Sequence, residues 1–216
     1  MPFLEDSKTY ISRMKKIPIS HIVLLVLVLL TILWSVIGVV DTYLTWILES
    51  TPALVGLIVL VITYKQFRIP TYLYVVIAIH MVILLVGAHY SYAKVPLGFW
   101  MEDWFGFTRN NYDKIGHFMQ GVTPALLTIE LLHRTTPLKT AGWTAFLSIC
   151  VAEAISALYE IIEWLASLSN PTDTEAFLGT QGYIWDTQTD MFMCLIGAIV
   201  AVIAYHIATA RIRRQA

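Results

Sequence analysis

Long runs of apolar residues, separated by short polar stretches, dominate the chain between Ile19 and Ala208. A helical run of about 20 apolar residues is long enough to cross the hydrocarbon core of a bilayer. The pattern therefore predicts an all-α, polytopic membrane protein built as a bundle of six transmembrane helices. We place the spans at about 19–40, 43–64, 71–88, 112–132, 138–168 and 184–208, with polar tails at 1–18 and 209–216 and one long loop at 89–111.

The composition supports a membrane protein and excludes an ordinary soluble domain. The 216 residues are 57% hydrophobic and 13% charged, with a mean hydropathy of +0.69. A soluble domain carries about 25% charged residues. So much apolar surface exceeds what one globular core can bury, and the remainder is expected to face lipid.

The positive charges predict the orientation. Six spans put both tails on the same side of the membrane. If that side is the cytoplasm, only Lys94, Arg109 and Lys114 of the 14 Lys and Arg residues lie outside. Cytoplasmic loops are enriched in Lys and Arg, so we expect both termini in the cytoplasm and loop 89–111 outside.

Three pairs of ionisable residues occur at helix ends that this topology places near the outer face. The pairs are Asp113 with His117, Glu160 with Glu163, and Asp186 with Asp190. Spacings of three or four residues put both members of a pair on one helix face. Such groups are costly within a membrane and normally face the interior of a bundle. We therefore predict that the fourth, fifth and sixth spans meet at one shared site.

The first functional hypothesis is a metal-dependent membrane enzyme. Carboxylates and imidazoles projecting from facing helices can bind Zn, Mn, Fe or Mg. The expected metal ligands are His117, Glu160, Glu163, Asp186 and Asp190, and the expected catalytic residues are Asp113, His117 and Glu160. The metal would activate water against an ester or phosphoester of a lipid or lipid-linked substrate. Without a metal, Asp113 would orient His117 as a general base.

Cations and amides near these pairs are candidates for substrate binding. Lys94, Arg109 and Lys114 either bind an anion or pair with nearby Glu102 and Asp103. The full expected set is His89, Lys94, Arg109, Lys114, Gln120 and Gln188. The expected partners are membrane lipid and an anionic lipid or lipid-linked substrate, with no nucleic acid.

Three further features lead to expectations about structure. His80, in the middle of the third span, is expected to be a neutral, hydrogen-bonded core histidine. Glu49 is expected near a membrane interface. The aromatic residues of loop 89–111 are expected either to lie at headgroup level or to pack on the bundle.

Several motifs resemble the YjdF-type family of bacterial inner-membrane proteins, a family of unknown function. The matching stretches include Tyr112-Asp113 with Gly116-His117-Phe118, Tyr159-Glu160 with Glu163-Trp164, and Trp185-Asp186-Thr187-Gln188 with Asp190-Met191. The resemblance covers roughly residues 70–205 and implies a multi-pass protein of the bacterial inner membrane.

More remotely, the chain is similar to VanZ-like membrane proteins, which are linked to glycopeptide resistance. Asp113-Lys114 with His117, then Glu160, then Asp186 or Asp190 ahead of Gly197 carry that resemblance. The chain departs from the pattern at Glu163, where VanZ-like proteins usually carry Gln. Neither resemblance implies an established reaction.

Two other functions stay open at this stage. A proton-coupled transporter could relay protons through Glu153, Glu160 and Glu163. A structural or accessory bundle would use its polar residues to join helices, but such bonds average only about 0.6 kcal/mol. That gain is small against the cost of burying several charges.

Overall fold

Residues 16–138, 140–169 and 181–215 are described by a computed structural model, and this part of the chain is all-helical. The side chains of Ala166, Ser169 and Arg213 are not included in the description. The described residues form seven α-helices: α1 Ile19–Val36, α2 Tyr43–Thr63, α3 Thr71–Tyr90, α4 Pro96–Phe105, α5 Tyr112–Thr135, α6 Ala141–Ser169 and α7 Asp186–Gln215. Residues 1–15, which are most of the predicted N-terminal tail, lie outside the described residues, as do Lys139, residues 170–180 and Ala216.

Five of these helices are long and apolar enough to cross a membrane. They are α1, α2, α3, most of α6 and most of α7. The other expected span, α5, has 24 residues but does not belong to this group of five. Its first turns carry Asp113, Lys114 and His117, which lower its hydropathy.

Helix α5 lies at the centre of the bundle, where it packs on α7, α6 and α3. Glycines allow α5 and α7 to cross with their backbones almost in contact. A Cβ added at Gly121 would lie 1.9 Å from the carbonyl oxygen of Cys194, and one at Gly197 would lie 2.0 Å from that of Phe118. Small residues at helix interfaces permit such close approach in membranes.

Helix α3 joins the first two helices to this centre. Its buried side chains Leu73, Ile77 and Leu85 belong to the same core cluster as Ile129 of α5. Helices α1 and α2 pack on α3. At one end of this layer, the ring of His21 bonds Tyr64 and Thr71 at 2.7 and 3.0 Å.

The segment predicted as loop 89–111 contains regular structure. It holds a single 3-10 turn at Tyr92–Lys94 and the helix α4, which ends at Phe105 and is capped by Gly106 with a φ of +69°. The helix was missed because aromatic density, rather than helical periodicity, dominates this stretch. Its aromatic side chains are between 42% and 66% exposed, namely Phe99, Trp100, Trp104, Phe105 and Phe107. Exposure of this kind fits an aromatic belt at headgroup level better than packing on the bundle.

The predicted C-terminal tail is also helical where it is described, because α7 continues to Gln215. The predicted sixth span ended near Ala208, where the apolar run stops. A helix keeps its backbone hydrogen bonds beyond an apolar run, so hydropathy alone placed this end too early.

Candidate functional site

The N-terminal turns of α5 and α7 and the C-terminal part of α6 come together at one end of the bundle. The chain before α5 is fixed by Asn110, whose side chain is buried. It donates to the carbonyl of Val95 at 2.9 Å and accepts from the backbone amide of Tyr112 at 3.1 Å. Gln181, shortly before α7, bonds both the amide and the carbonyl of Asn110. These bonds hold the starts of α5 and α7 side by side.

The first cluster of the site, which we call the lysine cluster, consists of the Lys114 ammonium and the carboxylates of Asp113, Asp186 and Asp190. Nζ of Lys114 donates to Oδ1 of Asp186 and Oδ1 of Asp190 at 2.7 Å each, and to Oδ2 of Asp113 at 3.2 Å. An ammonium has three N–H donors, so these contacts use all of them. Arg109 adds a bond to Oδ1 of Asp186 at 2.5 Å and lies 3.8 Å from Asp113. Asp186 is thus paired with two cations.

A second cluster, which we call the His117 cluster, consists of His117, Glu160 and Asp190. Nε2 of His117 lies 3.8 Å from Oε1 of Glu160 and 3.6 Å from Oδ1 of Asp190. Both distances exceed the usual limit of about 3.2 Å for an N–H···O hydrogen bond. Two ligand atoms at about 2.0–2.2 Å from a shared metal ion stand about 3.3–3.6 Å apart at the tetrahedral angle and about 3.5–3.8 Å apart at an angle of about 120°. The separations therefore suit a bridging ion better than direct hydrogen bonds.

The other nitrogen of the His117 ring fixes its tautomer. Nδ1 lies 2.9 Å from Oε1 of Gln120, one helical turn away on α5. A carbonyl oxygen only accepts, so Nδ1 carries the proton and the neutral ring presents a bare lone pair at Nε2. Metal-binding histidines are commonly held in this way. Oε1 of Glu160, which faces the lone pair, is buried without a hydrogen-bond partner among the described residues.

A cavity of about 230 Å³ opens beside the His117 cluster. Its polar lining comes from five helices and the 3-10 turn. The ionisable members are Glu49, His80, Asp113, His117, Glu163 and Asp190, with Tyr92 and Tyr159 beside them. Burial, reinforced by Tyr159 and Glu49, raises the pKa of the Tyr92 phenol well above its ordinary value. Tyr92 is therefore a neutral hydrogen-bonding group at neutral pH.

The structure separates the five expected metal ligands. His117, Glu160 and Asp190 place ligand atoms within 4.8 Å of one another. Asp186 belongs to the lysine cluster, where Asp113, Asp186 and Asp190 are equally close. Glu163 lines the cavity. The expected orientation of His117 by Asp113 is not seen in the described part of the chain, because Asp113 contacts Lys114 and Arg109 while Gln120 holds the ring.

The six expected substrate-binding residues also fall into two groups, three at the site and three elsewhere. Gln120 lies at the site, and Arg109 and Lys114 are paired there with aspartates. His89 is buried between α1 and α3, where its Nδ1 donates to the carbonyl of Ser35 at 3.1 Å and its ring stacks on Trp34. Lys94 is half-exposed and pairs with Asp41 at 3.5 Å, and Gln188 is exposed. The spacing of these residues along the chain gave no indication that they point away from the site.

Lys94, Arg109 and Lys114 form their ion pairs, among the described residues, with Asp41, Asp113, Asp186 and Asp190. The alternative pairing with Glu102 and Asp103 is not among the ion pairs seen in the described part of the chain. It rested on closeness in sequence, whereas helix packing brings the more buried aspartates within reach.

Sequence reasoning missed two residues of the cavity wall. Glu49 was expected near an interface, but it is 8% exposed and lines the cavity. His80 was expected to be a neutral, hydrogen-bonded core histidine; one of its ring nitrogens, Nε2, is buried with no partner in the described part of the chain. Both are isolated ionisable residues in apolar helices, and this isolation was the one feature of the sequence that could have indicated a role at the site. Their helices carry no motif that would have assigned them to the site.

Comparison with known proteins identifies relatives but no solved structure. A family described as "Predicted membrane protein (DUF2238)" matches residues 20–211. The chain is 48% identical over 160 residues to a protein of Escherichia coli (strain K12) named "Inner membrane protein YjdF", which covers 74% of this chain and 77% of that protein. No solved structure matches the chain significantly.

These matches agree with the run of apolar helices, and the chain is a multi-pass protein of the bacterial inner membrane. The predicted YjdF-type resemblance is confirmed over most of the chain. The matched range includes all the described residues of both clusters. The chain thus belongs to the DUF2238 family of membrane proteins.

Proposed function

We propose that this protein is a metal-dependent hydrolase or transferase that acts on a lipid or lipid-linked substrate. The observation that carries the proposal is the geometry of the His117 cluster. An unprotonated Nε2 faces two buried carboxylate oxygens at 3.6 and 3.8 Å. One of these oxygens, Oε1 of Glu160, has no other partner among the described residues.

The proposed topology has six spans with both termini in the cytoplasm. Helix α5 supplies the sixth span, since 24 residues extend about 36 Å as a helix and α5 packs against three other helices. Its charged first turns are compatible with a span because their charges are paired inside the bundle. The positive-inside asymmetry then puts the His117 cluster near the outer face.

The proposed ligands are His117, Glu160 and Asp190, with Zn, Mn, Fe or Mg as the candidate ions. The ion would supply Lewis acidity and lower the pKa of water at the site. Glu163, on the wall of the same cavity, is the proposed proton acceptor. Water adds to the ester carbon or phosphorus, its proton passes to Glu163, and the leaving oxygen then takes that proton. Asp113 acts indirectly, by holding Lys114.

Metal analysis of the purified protein tests the proposal. The wild type should retain about one divalent ion per chain after mild purification, and His117→Ala should lose it. Gln120→Ala should bind the ion about 10–100-fold more weakly, because the ring loses its second hydrogen bond. His206→Ala is the matched control, since it lies about 24 Å further along α7 than Asp190. A wild type that binds none of the four ions, during purification or on addition, would overturn the proposal.

The alternative function is proton-coupled transport, and one observation favours it. Oε1 of Glu153 is buried and lacks a hydrogen-bond partner within the described residues. Glu153 lies two turns from Glu160 along α6, which places both on one face. A proton path predicts that Glu153→Gln abolishes proton-driven uptake in vesicles while metal content stays unchanged. A non-enzymatic binding or accessory role predicts neither metal-dependent turnover nor proton coupling.

A further inference from the structure

The cavity beside the His117 cluster is bordered by two helices that are not packed on each other. Helix α2 packs on α3, while α6 packs on α5 and α7. No extensive contact joins α2 to α6 in the described part of the chain. Both helices nevertheless line the cavity, through Leu48, Glu49 and Pro52 of α2 and through Ile155, Tyr159 and Ile162 of α6. The gap between α2 and α6 is therefore the candidate side opening of the cavity.

The rim of this opening is apolar and faces outward. Ile155 and Ile162 line the cavity and are also 40% and 59% exposed. In a protein whose apolar helices cross the membrane, such surfaces face acyl chains. Leu48 and Pro52 continue the apolar rim on α2. The opening therefore leads from lipid toward a polar interior.

Part of the cavity wall outside the His117 cluster carries polar atoms that lack partners among the described residues. The Glu49 carboxylate contacts the backbone amide of Tyr92 and the side chain of Ser91. Its Oε2 is nevertheless buried without a hydrogen-bond partner among the described residues, as is Nε2 of His80. A buried carboxylate oxygen without a donor is costly. A ligand in the cavity that presents a hydrogen-bond donor would satisfy it.

The size of the cavity limits what can enter. At about 230 Å³ it is smaller than the roughly 300–1,000 Å³ of pockets that enclose drug-sized ligands. It can hold a small headgroup, but the acyl chains of a lipid must remain outside. The apolar rim offers those chains a surface along α2 and α6.

The charges of the cavity restrict the headgroup. Glu49, Asp113, Glu163 and Asp190 line it, whereas the Lys114 ammonium is committed to three aspartates. Carboxyl groups accept hydrogen bonds whether they are ionised or protonated, so such a cavity favours a hydrogen-bond donor over an added anion. The sequence led us to expect an anionic lipid, because Lys94, Arg109 and Lys114 were candidates for binding an anion. The cavity lining instead favours a headgroup that donates hydrogen bonds.

We propose that an amphiphile with a hydrogen-bond donor in its headgroup enters from the bilayer between α2 and α6, and that Glu49 binds this donor. The donor is an ammonium or a hydroxyl group. The inference deepens the proposed function by naming its substrate class, and it rests on that function only for the chemistry that follows binding. Glu49 is the binding residue, and Ile155 and Ile162 form the entrance.

Lipid retention by the purified full-length protein, measured by native mass spectrometry, tests this inference. Phosphatidylethanolamine and phosphatidylcholine form a matched pair, because only the ethanolamine headgroup carries N–H donors. The wild type should retain phosphatidylethanolamine about tenfold or more tightly, as expected for a hydrogen bond to a charged group. Phosphatidylglycerol, a hydroxyl donor with an anionic phosphate, distinguishes the two donor types. Retention of phosphatidylglycerol above phosphatidylcholine would assign the site to hydroxyl groups.

Variants separate the two parts of the proposal. Glu49→Gln should remove the preference for donor headgroups, while Asp103→Asn, an exposed charge-loss control on α4, should keep it. Ile155→Trp should narrow the opening and reduce retention of every lipid. Ile161→Trp, an exposed position on another face of the same helix that does not line the cavity, should leave retention unchanged.

Two results would overturn the inference. One is equal retention of all three lipids by the wild type, and the other is equal retention by the Ile155→Trp and Ile161→Trp proteins. Repeating the measurement in the presence of a chelator separates this test from that of the proposed function. A lipid preference that persists without metal supports the lipid-binding site even if the metal proposal fails. A protein that binds metal but shows no lipid preference supports the proposed function and overturns this inference.

Discussion

Replacing Lys114 by Met should strongly destabilise the protein, because its ammonium joins three carboxylates from two helices. The contacts are 2.7, 2.7 and 3.2 Å, and the lysine side chain is only 13% exposed. Removing one member of a buried ion pair typically costs about 3–5 kcal/mol, since the remaining charge is left uncompensated. Arg109 still pairs with Asp186 and limits the loss, so we expect about 3 kcal/mol. Met keeps most of the apolar volume of the side chain.

The free energy of unfolding in detergent micelles, obtained from denaturant titration, measures the effect. Lys65→Met is the control, because Lys65 is exposed and should change stability by less than about 0.5 kcal/mol. Asp190→Asn should cost less in the Lys114→Met background than in the wild type, with a coupling of about 0.5–3 kcal/mol. Equal stabilities for Lys114→Met and Lys65→Met would show that the ammonium does not hold α5 and α7 together.

Two further predictions concern packing near the site. Gly121→Ala should destabilise the bundle by several kcal/mol, because the new Cβ would meet the carbonyl oxygen of Cys194 at 1.9 Å. Gly142→Ala should be neutral, since that position has open space, and equal melting temperatures would contradict the close crossing. Asn110→Ala should cost about 1–3 kcal/mol by leaving two backbone groups unpaired. Asn111→Ala is its control, because Asn111 makes no side-chain cap, and equal unfolding midpoints would refute the role of Asn110.

The meeting of α5, α6 and α7 could be predicted from sequence because two constraints act together. Helical spacing put Asp113 with His117 and Asp186 with Asp190 on single faces, and the alternation of spans put those faces at one depth. The structure brings His117 to Glu160 and Asp190 accordingly. The cost of isolated charges in lipid supplied the physical reason for expecting contact.

The rest of the cavity could not be predicted in this way. Glu49 and His80 lie in helices whose rotation is set by packing on α3 and α5, and a single ionisable residue in an apolar helix does not reveal which face is buried. For His89 the error was the reverse. Its position next to loop 89–111 suggested that it belongs to the site, but its ring bonds the carbonyl of Ser35. Side-chain partners across helices depend on these rotations, which hydropathy does not report.

The two clusters share Asp190, whose ion pair with Lys114 leaves the His117 cluster without a lysine or arginine of its own among the described residues. Oδ1 of Asp190 accepts from Lys114 at 2.7 Å on one side and faces His117 at 3.6 Å on the other. The lysine reaches Asp113 and Asp186 as well, so its charge is committed to the aspartates. Glu160 is only 7% exposed, yet its carboxylate forms no ion pair with a lysine or arginine among the described residues.

A carboxylate in that position must bind a proton or a metal ion to be stable in the membrane. The two candidate functions correspond to these two choices. The tautomer imposed on His117 by Gln120 favours the metal ion, because it directs a lone pair rather than a proton toward Glu160.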